Sequence, residues 1–202
     1  MLEPFSNLIS FFFFAIYYIP EKTDCLIYTF DCTVEGKIPP GIIDRTKFYK
    51  VCLGGKDEVL GGLNFHSWSK LHELTGHRNG PDYLKIDIEG WEFETMQSII
   101  GQPTSPTQIA LELHFVIVKK TSSGERLVED ISRDTMVKFY QQMYRGGYYI
   151  MHEKKNPLFA QASELLFVRL KCFADQRILP RETVEERLVE LQSQYAIDKK
   201  TI

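Results

Sequence analysis

No glycine occurs in the chain before Gly36. A Gly-rich turn, which lets a nucleotide-like ligand lie against open backbone, is therefore excluded from everything ahead of that position. The cysteines Cys25, Cys32, Cys52 and Cys172 form no CxxC pair and no zinc-finger spacing, which argues against a structural zinc site. Three of them sit in strand-like apolar sequence, where a reduced cysteine behaves as a small hydrophobe. A Cys25–Cys32 disulfide is the lesser alternative, since nothing else marks a disulfide-built scaffold. A strong charge of either sign is also lacking. The formal net charge is −3, so no nucleic-acid partner is indicated. The pairs Lys119–Lys120, Lys154–Lys155 and Lys199–Lys200 read as solvated surface. Finally, there is no apolar run of membrane-spanning length. Leu8 to Ile19 is almost entirely apolar, with Phe11 to Phe14 in a row, but a transmembrane helix needs about 20 such residues. No Lys or Arg precedes it and no small-x-small site follows it, which is unlike the usual pattern of a secretion signal. A buried element, a segment touching a membrane over residues 8–19, or an aberrant chain start fits instead, and a soluble compartment is favoured.

What is present is the composition of one α/β domain, with 44% apolar and 25% charged residues in 202. Strand-like and helix-like segments alternate, as in a sheet covered on both faces. Leu26–Phe30 and Phe48–Leu53 predict strands, and Ser67 or Ser69 opens a short helix ended by Gly76. Tyr83–Ile88 is the clearest strand. A helix from Trp91 to Ile100 follows, with Gly101 at its C-cap. Gln108–Phe115 is another strand, and Asp134–Arg145 an amphipathic helix with Met136, Phe139, Tyr140 and Met143 inward. Tyr148–Met151 and Leu165–Leu170 have no helix between them and should pair antiparallel. After Pro180, Thr183 and Glu186 make a capping box ahead of a helix docked on the domain. The division is thus an atypical apolar segment over 1–24, a domain over 25–172, and a helix and tail over 173–202.

In an open parallel sheet, ligands bind beyond the carboxyl ends of the strands. The polar residues expected there are Asp31, Asp87 with Glu89, and Glu112 with His114. Residues two apart on a strand face the same side. Asp87 and Glu89 therefore share a face with Lys85, and Glu112 shares one with His114. Charge at the end of a buried strand costs stability unless something satisfies it. A Lys85–Asp87 ion pair, with Glu89 capping the next helix, is the structural explanation; a ligand site is the functional one.

The run Asp82-Tyr83-Leu84-Lys85-Ile86-Asp87-Ile88-Glu89-Gly90-Trp91-Glu92 resembles the LKxDxEGxE strand of FkbM-like class I methyltransferases. It is nearest to the methyltransferase-like branch known mainly from animals. Tyr28–Asp31, Phe48–Gly54, Leu111–Phe115 and Glu164–Arg169 match further strands, so the resemblance covers about residues 25–170. It implies a Rossmann-like, mostly parallel sheet with a C-terminal antiparallel strand. It also implies S-adenosylmethionine as cofactor. Asp31 would then bind the ribose hydroxyls, and Leu53 and Gly54 would face the adenine. Asp87, Glu89, Glu112 and His114 would line the site of transfer to an unidentified oxygen or nitrogen acceptor.

The family's first strand and Gly-rich turn have no counterpart in residues 1–24, so that part of the fold is expected to be truncated or replaced. A truncated or spliced product, a misassigned start, or a divergent protein that lost cofactor binding would each show this. The alternative to an enzyme is accordingly a non-catalytic scaffold. A divalent-metal site from Asp87, Glu112 and His114 is a third reading.

Overall fold

The computed structural model describes residues 7–10, 24–38, 40–120, 126–156 and 161–170, with residues 7–10, 117–120 and 126–128 described by their backbone alone. The apolar segment beyond Ser10 and the tail with its capping box lie outside the described residues. Among the described residues no helix is long and apolar enough to cross a membrane.

Seven strands form the main sheet: β1 (Asn7–Ser10), β2 (Leu26–Phe30), β3 (Thr46–Tyr49), β7 (Tyr83–Ile86), β8 (Gln108–His114), β11 (Tyr148–Lys155) and β12 (Ala162–Arg169). Their order is β11-β12-β8-β7-β1-β2-β3. β1, β2, β3, β7 and β8 pair parallel, whereas β12 runs antiparallel to both β8 and β11. The fold is α/β and Rossmann-like, with the reversed strand expected near the C-terminus. The first-strand position is filled: Asn7–Ser10 lies between β2 and β7, with Leu8 opposite Ile27 and Tyr83. From β1 the chain order runs outward in both directions, and this reversal opens a crevice at the strand ends.

Alternation explains the burial. Leu84 and Ile86 of β7 and Ile109, Leu111 and Leu113 of β8 are all 0% exposed. Packed on them are α2 (Glu92–Ile99), through Met96 and Ile99, and α3 (Arg133–Arg145), through Phe139 and Met143. α1 (Trp68–Thr75) starts where Ser67 caps the Lys70 N–H and stops at Gly76, whose φ of 73° suits glycine. α2 is shorter than expected, with Ile100 rather than Gly101 as its C-cap.

The expected strand Phe48–Leu53 is two strands. The chain turns after Tyr49, where the Val51 N–H donates to the Tyr49 carbonyl. β4 (Cys52–Leu53) then joins β5 (Glu58–Leu60) and β6 (Leu63–His66) in a separate three-stranded sheet. A second small ribbon pairs β9 (Val116–Lys120) with β10 (Arg126–Asp130).

The expectation of reduced cysteines is corrected as well. Cys32 is disulfide-bonded to Cys52, with Cα atoms 4.8 Å apart. Cys25 could not reach Cys32, because β2 stretches between them at about 3.3 Å per residue. Cys25 is instead buried with Ile27 against Tyr83. The bridge spans 20 residues, so replacing both cysteines by serine should cost about 3 kcal/mol. Urea denaturation of the oxidised protein against the double variant measures this.

Candidate functional site

The crevice lies at the reversal of strand order. Its walls come from the end of β2 (Phe30, Asp31, Cys32, Thr33), from Cys52 and Leu53 of β4, from Leu63 and Phe65 of β6, and from the turn after β7 (Asp87, Ile88, Glu89, Trp91). No Lys or Arg lines it among the described residues. Asp31 Oδ1 accepts from the Thr33 N–H at 2.7 Å and the Thr33 hydroxyl at 2.6 Å. This short turn holds the carboxylate at the mouth and leaves Oδ2 to meet a ligand. The backbone N–H of Asp31 donates to Tyr49, and the Cys32–Cys52 bridge ties the same loop to β4. Leu53 is buried in the wall. Gly54 is one step outside it, with its N–H on the His66 carbonyl and Phe65 packed close to its Cα. Phe65 and Trp91, ring centroids 5.4 Å apart, form an aromatic flank.

The acidic end of the crevice is built by the turn that follows β7. The strand ends at Ile86, so Asp87 and Glu89 sit beyond it rather than on it. Glu89 has a φ of 56° and Gly90 of 100°; a left-handed glutamate costs about 1 kcal/mol or more and marks a turn held by its surroundings. Lys85 does not pair with Asp87. Its ammonium lies 3.3 Å from Glu164 on β12. Glu112 accepts from the Asn156 amide at 2.7 Å, and its charge is felt by Asp87.

Parallel pairing of β7 with β8 brings Glu112 and His114 alongside Asp87. Burial, then the neighbouring Glu112 charge, pushes the Asp87 carboxyl up to about 7, against the pull of Lys85 and His114. His114 is 4% exposed. Its Nδ1 is 3.0 Å from Glu92 Oε1, and its Nε2 is 3.7 Å from Glu89 and 4.0 Å from Glu112. Burial alone would lower its pKa, but the Glu92 hydrogen bond and charge, followed by Glu89 and Asp87, raise it to about 9.

One ligand atom each from Asp87, Glu89 and His114 lies within 4.8 Å of the others. The group within this distance includes Glu89 and not the expected Glu112, and an imidazole that keeps its proton to about pH 9 offers a divalent cation no lone pair at neutral pH. The four acidic-end residues expected from the sequence come together, with Asp87 and Glu89 on the crevice wall and His114 and Glu112 next to them, and Asp31 and Leu53 belong to the wall formed by β2 and β4. Three residues were not picked out: Phe65, Trp91 and Glu92. The last two stand inside the Asp82–Glu92 run, which was the available signal.

No family model and no curated protein sequence matches the chain. Its fold is similar to that of a fibrillarin pre-rRNA processing protein of Methanococcus jannaschii, at 8% identity and a TM-score of 0.46 over 84% of this chain and 70% of that one. It is also similar to the 1,6-didemethyltoxoflavin-N1-methyltransferase of Burkholderia thailandensis, solved with 1,6-didemethyltoxoflavin and S-adenosylhomocysteine. There the identity is 7% and the TM-score 0.43, over 82% of this chain and 72% of that one.

Proposed function

We propose that this chain is an S-adenosylmethionine-dependent methyltransferase of the FkbM-like kind, acting on an oxygen or nitrogen acceptor. The observation that carries the reading is the crevice at the reversal of strand order, with Asp31 on one wall and Asp87 and Glu89 on the other. Its donors suit the cofactor. A carboxylate ending β2 can accept from both hydroxyls of a ribose. Leu53, Phe65 and Trp91 give a base an apolar and aromatic surface. Acidic residues with no lining cation suit a sulfonium.

When bound, the cofactor supplies an electrophilic methyl group. The protein's part is to place the acceptor and remove its proton. Asp87 is the best-suited base, since a carboxylate that ionises near 7 combines availability with basicity at neutral pH. His114, protonated below about 9, can donate from Nε2 and orient the acceptor's lone pair. Glu89 closes the side of the crevice. A bell-shaped rate profile follows, rising as Asp87 ionises and falling as His114 loses its proton.

Calorimetry with S-adenosylhomocysteine tests the cofactor assignment. We expect saturable binding, weakened at least tenfold by Asp31→Ala, which removes a charged acceptor of two hydrogen bonds. No heat at millimolar ligand would retire the catalytic reading. The absence of glycine before Gly36 favours a second reading, a methyltransferase-like scaffold that binds without transferring. Methyl transfer by the purified protein, lost on Asp87→Ala, would refute that one.

A further inference from the structure

Glu92 is fully buried in the first turn of α2, although it does not line the crevice. One of its oxygens carries three contacts. Oε1 accepts from the N–H of Ile88 at 3.1 Å and of Gly90 at 3.2 Å, and it meets Nδ1 of His114 at 3.0 Å. Burying a carboxylate costs several kcal/mol unless hydrogen bonds compensate. Here the compensating donors come from two separate pieces of the site. Ile88 and Gly90 belong to the turn that carries Asp87 and Glu89, and His114 ends β8.

We propose that Glu92 is a positioning residue that locks this turn to His114 and directs the imidazole Nε2 into the crevice. A ring that gives its Nδ1 proton to a buried carboxylate has its orientation set, and the other nitrogen is presented to the opposite side. Nε2 is indeed on the side of Glu89 and Glu112. The same oxygen holds the two N–H groups that flank the left-handed Glu89, so one buried atom fixes both the turn and the ring. Among the described residues, the charged groups facing His114 include Glu92 and Glu89 of the turn and helix, Asp87 after β7, and Glu112 of its own strand. Of these four, Glu92 meets Nδ1, at 3.0 Å.

The role rests on the methyl-transfer reading only where activity is the readout, and the test keeps the two apart. Glu92→Gln in the full chain keeps the shape and removes the charge. Imidazole titration by NMR should place His114 at least one pH unit lower than in the parent. Amide exchange at Ile88 and Gly90 should quicken at least tenfold. In a transfer assay, kcat should fall about tenfold with the KM for the methyl donor within twofold. The alkaline limb of the rate profile should move down with the histidine. Glu92→Asp restores the charge on a shorter arm, so it should recover most of the His114 pKa while kcat stays depressed. It also supplies the NMR readout should the glutamine variant not fold. An unchanged His114 titration together with unchanged amide exchange overturns the positioning role, whatever the activity. If those two shift as expected and no transfer is seen in the parent either, the enzymatic reading fails and the positioning of His114 stands.

Discussion

Asp87→Asn is expected to lower kcat for methyl transfer by about 10²- to 10³-fold, the loss that follows removal of a positioned base. It should also weaken binding of the cationic S-adenosylmethionine more than that of neutral S-adenosylhomocysteine, since only the former has a sulfonium for the carboxylate to attract. The same substitution should stabilise the protein. The Asp87 carboxyl goes from an ordinary value of 3.8 to about 7 on folding, so the folded state holds its proton more tightly. The stability tied to that proton is complete below 3.8 and drains away as the pH rises to 7. At pH 8 the folded protein carries a half-buried charge beside Glu112 that asparagine does not. The gain should be on the order of 2 kcal/mol, or roughly 4 °C or more in Tm for a chain of this size. Enzyme assays at pH 8 and thermal melts of the two proteins side by side check both halves. A variant that loses stability and activity together would point to a structural role for Asp87 instead.

Stability of the parent protein should fall steadily between pH 6.5 and 9, and His114 should be responsible for most of it. Its folded pKa of about 9 lies above the ordinary 6.5. The contribution is therefore fully present below 6.5 and is lost as the pH rises through 9. It should amount to roughly 2 kcal/mol. That is less than about 1.4 kcal/mol per pH unit would give, since the crevice is open to solvent on the Glu89 side. Denaturant midpoints at pH 6, 7.5 and 9.5 report it. In His114→Gln the decline over this window should flatten to the part due to Asp87, which is nearly complete by pH 7. A parent whose stability is level from pH 6.5 to 9 would contradict the ion cluster around His114.

The strands and helices that proved legible are those with local chemistry to announce them. Ser67 and Gly76 bracket α1 with a cap at each end, and the alternation of Leu84 and Ile86 with Tyr83 and Lys85 marks β7. Counting residues along such strands was enough to foresee that Asp87, Glu112 and His114 meet. What stayed hidden depends on contacts between distant segments. Cys32 and Cys52 carry no spacing signature, because their approach is set by the pairing of β2 with β3. Lys85 looked like a partner for Asp87 along its own strand, yet the sheet offers it Glu164 from two strands away. The hairpin of β5 and β6 did leave a trace in Gly61–Gly62, both at positive φ, and a Gly-Gly pair between short apolar stretches is a turn signal. Glu92 reads in sequence as an ordinary acid at a helix start, where the dipole favours it. Only the fold reveals that its side chain bends back and reaches His114.

Because β12 runs against its neighbours, its beginning rather than its end arrives at the acidic rim. Ala162 stands opposite His114, Glu164 opposite Glu112 and within reach of Lys85, and Asn156 from the preceding strand reaches Glu112. Two oppositely directed strands therefore contribute to one rim, Asn156 from the end of β11 and Ala162 to Glu164 from the start of β12. Exchanging Asn156 or Glu164 would change the partners of Glu112 and Lys85 while leaving the Asp82–Glu92 run untouched.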